Sequence, residues 1–202
     1  MEGLRKGRHY SGRRASRKRP TAPPRRRAEP PLARRGLHAI LADVDRATET
    51  DYDAWMGAAI EQAREAQRAG DVPVGAVVVR EGRILAAAHN RRIIDRDPTA
   101  HAEMLAIRAA AAARGDWRLS GCTLVVTLEP CCMCAGAVVL ARIDRLVYGA
   151  TDPKAGAAGT LYDIPTDDRL NHHVKVVSGV RAAECGDLLT AFFRSQRAAG
   201  KK

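Results

Sequence analysis

Between Thr123 and Tyr148 the apolar period of the chain changes twice, and this constrains the fold more than any other feature. Thr123 to Leu128 is a β-branched run, Pro130 opens a helical pattern through Leu140, and Leu146 to Tyr148 returns to a strand. A strand, a helix and a strand in that order close as a right-handed crossover between parallel strands. Upstream, Val74 to Val79 and Ile84 to Ala88 flank the turn Glu81-Gly82 and read as a hairpin. A helix opened by Pro98 then runs through Met104, Leu105 and the alanines 109 to 113 and stops at Gly115. An earlier helix starts from about Asp53, carried by Trp55, Ala58, Ala59, Ala63 and Ala66, and Gly70 is placed to end it. His173 to Val177 gives one more strand, and Ala182 to Arg197 a final amphipathic helix. The expected fold class is α/β: a three-layer α/β/α sandwich around a mixed sheet of about five strands.

Charge divides the same chain differently. The formal net charge is +11. Residues 1–36 carry 13 Lys and Arg against Glu2 and Glu29, so the whole excess lies there, and the rest holds 21 basic and 21 acidic side chains. Bulk charge therefore says nothing about the partners of the body. The leader, made of Arg, Lys, Pro, Gly and Ser, lacks the apolar surface to offset its ordering entropy and reads as disordered. It is an RNA-binding arm, a dispensable tail, sequence upstream of the true start or, last, a targeting segment. The expected organisation is a leader over 1–36, a linker over 37–52 and a catalytic domain over 53–202. No apolar run approaches the roughly 18–20 residues of a membrane span. Five cysteines, an odd number with three inside four residues, exclude a disulfide framework and favour a reducing, cytoplasmic setting.

That cysteine cluster carries chemistry together with a second segment. His101-Ala102-Glu103 lies just inside one predicted helix and Pro130-Cys131-Cys132-Met133-Cys134 at the start of the next. Cys131 and Cys134 are three apart and share a helix face, whereas Cys132 turns away. The positive end of the helix favours thiolates, and Pro130 suits a first turn. With His101 the donors number three, which leaves the fourth tetrahedral position of zinc open for water, as catalytic sites require. Glu103 is the carboxylate at hand for the proton transfers. Residues two apart on a helix diverge by about 200°, so His101 and Glu103 can share a site only at the helix end.

His-Ala-Glu followed by Pro-Cys-x-x-Cys resembles the zinc-dependent nucleoside and nucleobase deaminases, whose signature this is. Val72-Pro73-Val74-Gly75-Ala76, Asn90-Arg91, Asp97-Pro98-Thr99-Ala100, Thr127-Leu128-Glu129, Gly149-Ala150, Gly156-Ala157-Ala158-Gly159 and Phe192-Phe193-Arg194 narrow the resemblance to the bacterial tRNA-specific adenosine deaminases over about residues 53–198. The resemblance implies a cytidine-deaminase-like fold and conversion of the wobble adenosine of an arginine tRNA to inosine. It makes His101, Cys131 and Cys134 the ligands of one zinc per subunit and Glu103 the proton shuttle. By the same resemblance Asn90 would bond the target base, Val72 and Ala102 would wall its pocket, and Asp152 would meet the neighbouring nucleotide. Its partners would be the tRNA anticodon stem-loop and a second copy of the chain in a homodimer, with no membrane.

Two rival functions stand beside this one. A free-base or nucleoside deaminase, for guanine or cytosine, would share the metal constellation but close its pocket with a C-terminal segment. An RNA-binding protein with structural zinc would have no use for Glu103. Cys122, Cys132 and Cys185 are expected to pack in the core, Phe192 and Phe193 mostly likewise, and His172-His173 to lie at a strand edge or the surface.

Overall fold

A computed structural model describes residues 48–200. The leader and most of the linker lie outside the described residues. The chain forms α1 (Glu49–Arg68), β1 (Gly75–Arg80), β2 (Arg83–His89), α2 (Ala102–Arg114), β3 (Cys122–Leu128), α3 (Cys132–Leu140), β4 (Arg145–Ala150), β5 (Lys175–Val177) and α4 (Ala182–Ala198). The five strands make one sheet in the order β2-β1-β3-β4-β5. β1 runs antiparallel to β2 and to β3, while β3, β4 and β5 are parallel. The β3-α3-β4 crossover is the one read from the double change of period. β2 and β3 flank β1 in the same direction, so α2 makes a second crossover over it.

The helices cover both faces. Ala102, Ala106, Ile107 and Ala110 of α2 pack with Val138 and Val139 of α3 against Ala76, Val78, Leu124, Val126 and Leu146. On the opposite face Tyr52, Met56, Ala59 and Ile60 of α1 and Cys185 of α4 meet Val77, Val79, Val125 and Val147. Alternate residues of β1, β3 and β4 thus serve two cores, which is why these strands are apolar without alternation. A fully buried Met56 or Ile60 contributes about 1.5–3 kcal/mol by leaving water. Gly75 is where α1 comes closest to the sheet: a Cβ there would overlap the backbone at Ala59 and Ala63.

Four boundaries differ from those read in the sequence, two of the helix starts for evident local reasons. α1 starts at Glu49, ahead of the first apolar repeat, because Thr48 and Asp51 form a reciprocal capping box. α2 starts at Ala102, not at Pro98: the Asp97 carboxylate accepts from the Thr99 backbone N–H at 2.7 Å and ties residues 97–99 into a turn. α3 starts at Cys132, leaving Cys131 as its N-cap. β5 is three residues long and begins at Lys175, after the two histidines.

Candidate active site

The C-terminal ends of β3 and β4 and the starts of α2 and α3 meet at one end of the sheet, where a cavity of about 610 Å³ opens. His101 and Cys131 are the N-cap residues of α2 and α3, both with extended backbone (ψ 149 and 172). Neither side chain caps its own helix. Both are instead free to turn toward each other: His101 Nδ1 lies 3.7 Å from Cys131 Sγ and 3.6 Å from Cys134 Sγ. Cys131 and Cys134 converge because the first stands at the cap and the second inside the first turn, rather than from one helical face. The three donor atoms lie within 4.8 Å of one another, the one such cluster among the described residues. One imidazole and two thiols at two positive helix ends are the donor chemistry of zinc, and a three-ligand set leaves a coordination position open.

The electrostatics of this group are polarised. The hydrogen bond with Cys134, aided by His101, holds the Cys131 thiol far below its ordinary range. The same contact with Cys131, with burial, pushes Cys134 up. The Cys131 contact raises His101. Glu103, in the first turn of α2, is 4% exposed and faces the cavity, and burial raises its carboxyl above the usual range. The extended His101 backbone removes the helical conflict between positions two apart: the imidazole points in from outside the helix and the carboxylate from within it.

Of the other predicted site residues, Val72, Asn90 and Asp152 line the cavity. Ala102 does not: it is fully buried in the α2 core cluster, so the space at this position is filled by helix packing. Cys122 and Cys185 are buried as expected, but Cys132 is exposed, because α3 turns it to solvent. Phe192 is core at 5% exposure, whereas Phe193 is 44% exposed and joins the cavity wall with Leu189. His172 bonds the Ile143 carbonyl at 2.7 Å and His173 faces Asp168, with no ligand set around either among the described residues.

Two buried carboxylates flank this cavity that sequence reasoning did not single out. Asp71 is fully buried, and its oxygens accept from Val72 N (2.8 Å), Asn90 Nδ2 (2.7 Å), Ile93 N (2.7 Å) and Ile94 N (3.3 Å). Since a carboxylate only accepts, the Asn90 amide nitrogen is fixed toward Asp71 and the amide cannot flip. Glu129, 2% exposed, accepts from Asp152 N (3.0 Å), Ala158 N (3.1 Å), Thr160 N (3.0 Å) and the Thr160 hydroxyl. Burial would raise Glu129, but these hydrogen bonds, the Thr160 hydroxyl first, outweigh it and keep the carboxyl low. Three cations, Arg92, Lys154 and Arg197, stand exposed around the cavity.

Comparison with known proteins bears on this geometry. The cytidine and deoxycytidylate deaminase zinc-binding region matches residues 49–150. The tRNA-specific adenosine deaminase of Bacillus subtilis is 53% identical over 148 residues, covering 73% of this chain and 92% of that protein. The Haemophilus influenzae tRNA-specific adenosine deaminase is 47% identical over 143 residues, 70% of this chain and 83% of its own. Among solved structures, a tRNA deaminase described for A-to-I editing at the wobble position superposes with a TM-score of 0.65 at 44% identity, covering 67% of this chain and 99% of its own. A guanine deaminase from Nitrosomonas europaea superposes at 0.60 with 29% identity, covering 78% and 93%.

Proposed function

The chain belongs to the cytidine and deoxycytidylate deaminase zinc-binding family, and from that premise we propose that it hydrolyses the wobble adenosine of a tRNA anticodon to inosine, with release of ammonia. The observation that carries the reading is the convergence of His101, Cys131 and Cys134 beside the buried Glu103. Zinc held by these three donors supplies the Lewis acidity that makes water nucleophilic near neutral pH. Glu103 does the proton work. Its raised carboxyl suits a group that takes a proton from the attacking water and gives it to ring N1 as oxygen adds at C6, then takes the second proton from the new C6 hydroxyl and passes it to the departing amine as the C6–N bond breaks. Water and adenosine enter, and inosine and ammonia leave.

Recognition falls to the cavity wall. Asn90, its amide fixed by Asp71, offers the base a polar group in one orientation, and Val72 and Phe193 offer apolar contact. Arg92, Lys154 and Arg197 around the cavity suit phosphates on either side of a flipped nucleotide, which favours a polynucleotide over a free base. The arginine tRNA, a homodimer and a cytoplasmic location are the finer parts of the same proposal; no helix among the described residues is long and apolar enough to cross a membrane. The test is an inosine and ammonia assay of the zinc-loaded protein on an anticodon stem-loop with wobble adenosine, beside free adenosine, guanine and cytosine. Inosine in the stem-loop alone is expected. Ammonia from a free base over an inert stem-loop would move the chain to the nucleobase branch.

A further inference from the structure

The segment 151–160 has no helix or strand of its own, yet Thr151, Asp152, Pro153, Lys154 and Ala155 form one side of the cavity. Something must hold it in shape. Most of its ties to the rest of the fold converge on three consecutive residues, 129–131, just past the end of β3. The Ala157 N–H donates to the Pro130 carbonyl at 2.8 Å, and Gly156 bridges to Cys131. The Tyr148 hydroxyl donates to the Ala158 carbonyl at 3.4 Å, but the largest set of ties goes to Glu129, where three backbone N–H groups, from Asp152, Ala158 and Thr160, and the Thr160 hydroxyl fill both carboxylate oxygens. A carboxylate has about four acceptor sites, so none is left for solvent or substrate. The loop is wound round this side chain closely enough that a Cβ on Gly156 would overlap the Glu129 carboxylate.

Resting on the deaminase reading above, we propose that Glu129 is a positioning residue for the polynucleotide: its buried carboxylate sets the loop, and so Asp152 and Lys154 at the cavity wall, in register with Cys131. With its acceptor sites taken by the loop, Glu129 has none to offer a base or a metal; it lies two residues before Cys131, so one stretch of backbone carries both the metal ligand and the centre of the loop. A charged acceptor suits this use. Three converging N–H groups bond an ionised oxygen more strongly than a neutral amide, and an amide in its place would turn its own N–H groups against them. The energetic weight therefore falls on where the loop stands, not on the proton chemistry of Glu103.

Glu129→Gln in the zinc-loaded full chain tests this. Zinc content and cooperative unfolding are expected to persist, and the amides of Asp152, Ala158 and Thr160 to lose hydrogen-exchange protection. KM for the anticodon stem-loop should rise roughly tenfold or more while kcat falls less than about threefold. A merely structural residue would lower stability without that split. Unchanged protection and unchanged KM would overturn the proposal, as would a fall in kcat at constant KM. Should Glu129→Gln fail to fold, Thr160→Ala removes one donor and spares the carboxylate; a KM rise of roughly threefold supports the proposal and none overturns it. Wild-type protein inert on the stem-loop would instead sink the deaminase reading, while the exchange data would still report on the loop.

Discussion

The two helix starts and the two carboxylate-centred loops build the same cavity by opposite means. At the helix starts, functional side chains stand at N-caps whose backbone is fixed by crossovers packed into a core. In the loops, the backbone has no such support and is held by an anion: Asp71 gathers Val72, Asn90, Ile93 and Ile94, and Glu129 gathers Asp152, Ala158 and Thr160. The difference teaches a division of labour. Reacting groups sit on the rigid part, and groups that would meet the substrate sit on backbone whose shape depends on a few charge-assisted hydrogen bonds. Changes at the helix starts should abolish chemistry, whereas changes in the loops should degrade recognition.

The largest effect is expected at a metal donor. Cys134→Ala should bring zinc well below one per chain, abolish turnover and lower Tm by roughly 5 °C or more, since a ligand that binds only the folded state stabilises it. Metal analysis and thermal unfolding check this, and full zinc in the variant would dissolve the donor set. Next comes Glu103→Gln, which should keep zinc and fold while kcat falls by about 10²–10⁴. Removing a raised carboxyl from a buried site adds no unpaired charge, so no loss of stability should accompany the loss of rate. Single-turnover rates on the stem-loop decide it; near-normal turnover would put the proton work elsewhere.

Asp71→Asn probes the other side of the comparison. An asparagine offers one acceptor oxygen where the carboxylate serves four donors, and its own N–H groups face the N–H groups of Val72, Ile93 or Ile94. About 1–3 kcal/mol of stability should go. With the Asn90 amide free to flip, kcat/KM should fall roughly ten- to fiftyfold with zinc retained. A lower Tm at constant kcat/KM would show that Asp71 supports the fold without orienting Asn90.

This contrast also explains what the sequence let us read. Zinc and proton transfer demand particular residue types at fixed offsets, so His101, Glu103, Cys131 and Cys134 stood out from their spacing. Both helices nonetheless start later than the sequence predicts, because Pro98 and Pro130 satisfy the rule for a first helical position while the Asp97 turn and the extended Cys131 backbone delay the helix. Asp71 gives no signal, and Glu129 enters only as part of a resembling segment with no role attached to it. A single carboxylate is by default solvated, and the donors that reverse this come from 22 and 31 residues away. Phe193 and Cys132 depart from the sequence expectation for a related reason: a helical repeat shows that an apolar face exists, not where a cavity or solvent interrupts it.

The smallest effect separates the cavity from charge lying outside it. Residues 1–36 hold the entire formal excess of +11, and the remainder is balanced at 21 of each sign. If the loops carry recognition, the cations at the cavity suffice to select the stem-loop, and the leader adds only counterion release. That contribution costs about 0.7 of logarithmic slope per phosphate engaged on a single strand and fades as salt rises. Deleting residues 1–36 should therefore flatten the salt dependence of KM, raise KM most at low ionic strength and leave kcat within about twofold. KM against salt, measured for both chains on one stem-loop, reads this directly. Curves that converge at high salt keep recognition in the carboxylate-centred loops. A drop in kcat at saturating RNA would make the leader a third wall of the site and break the division between helix starts and loops.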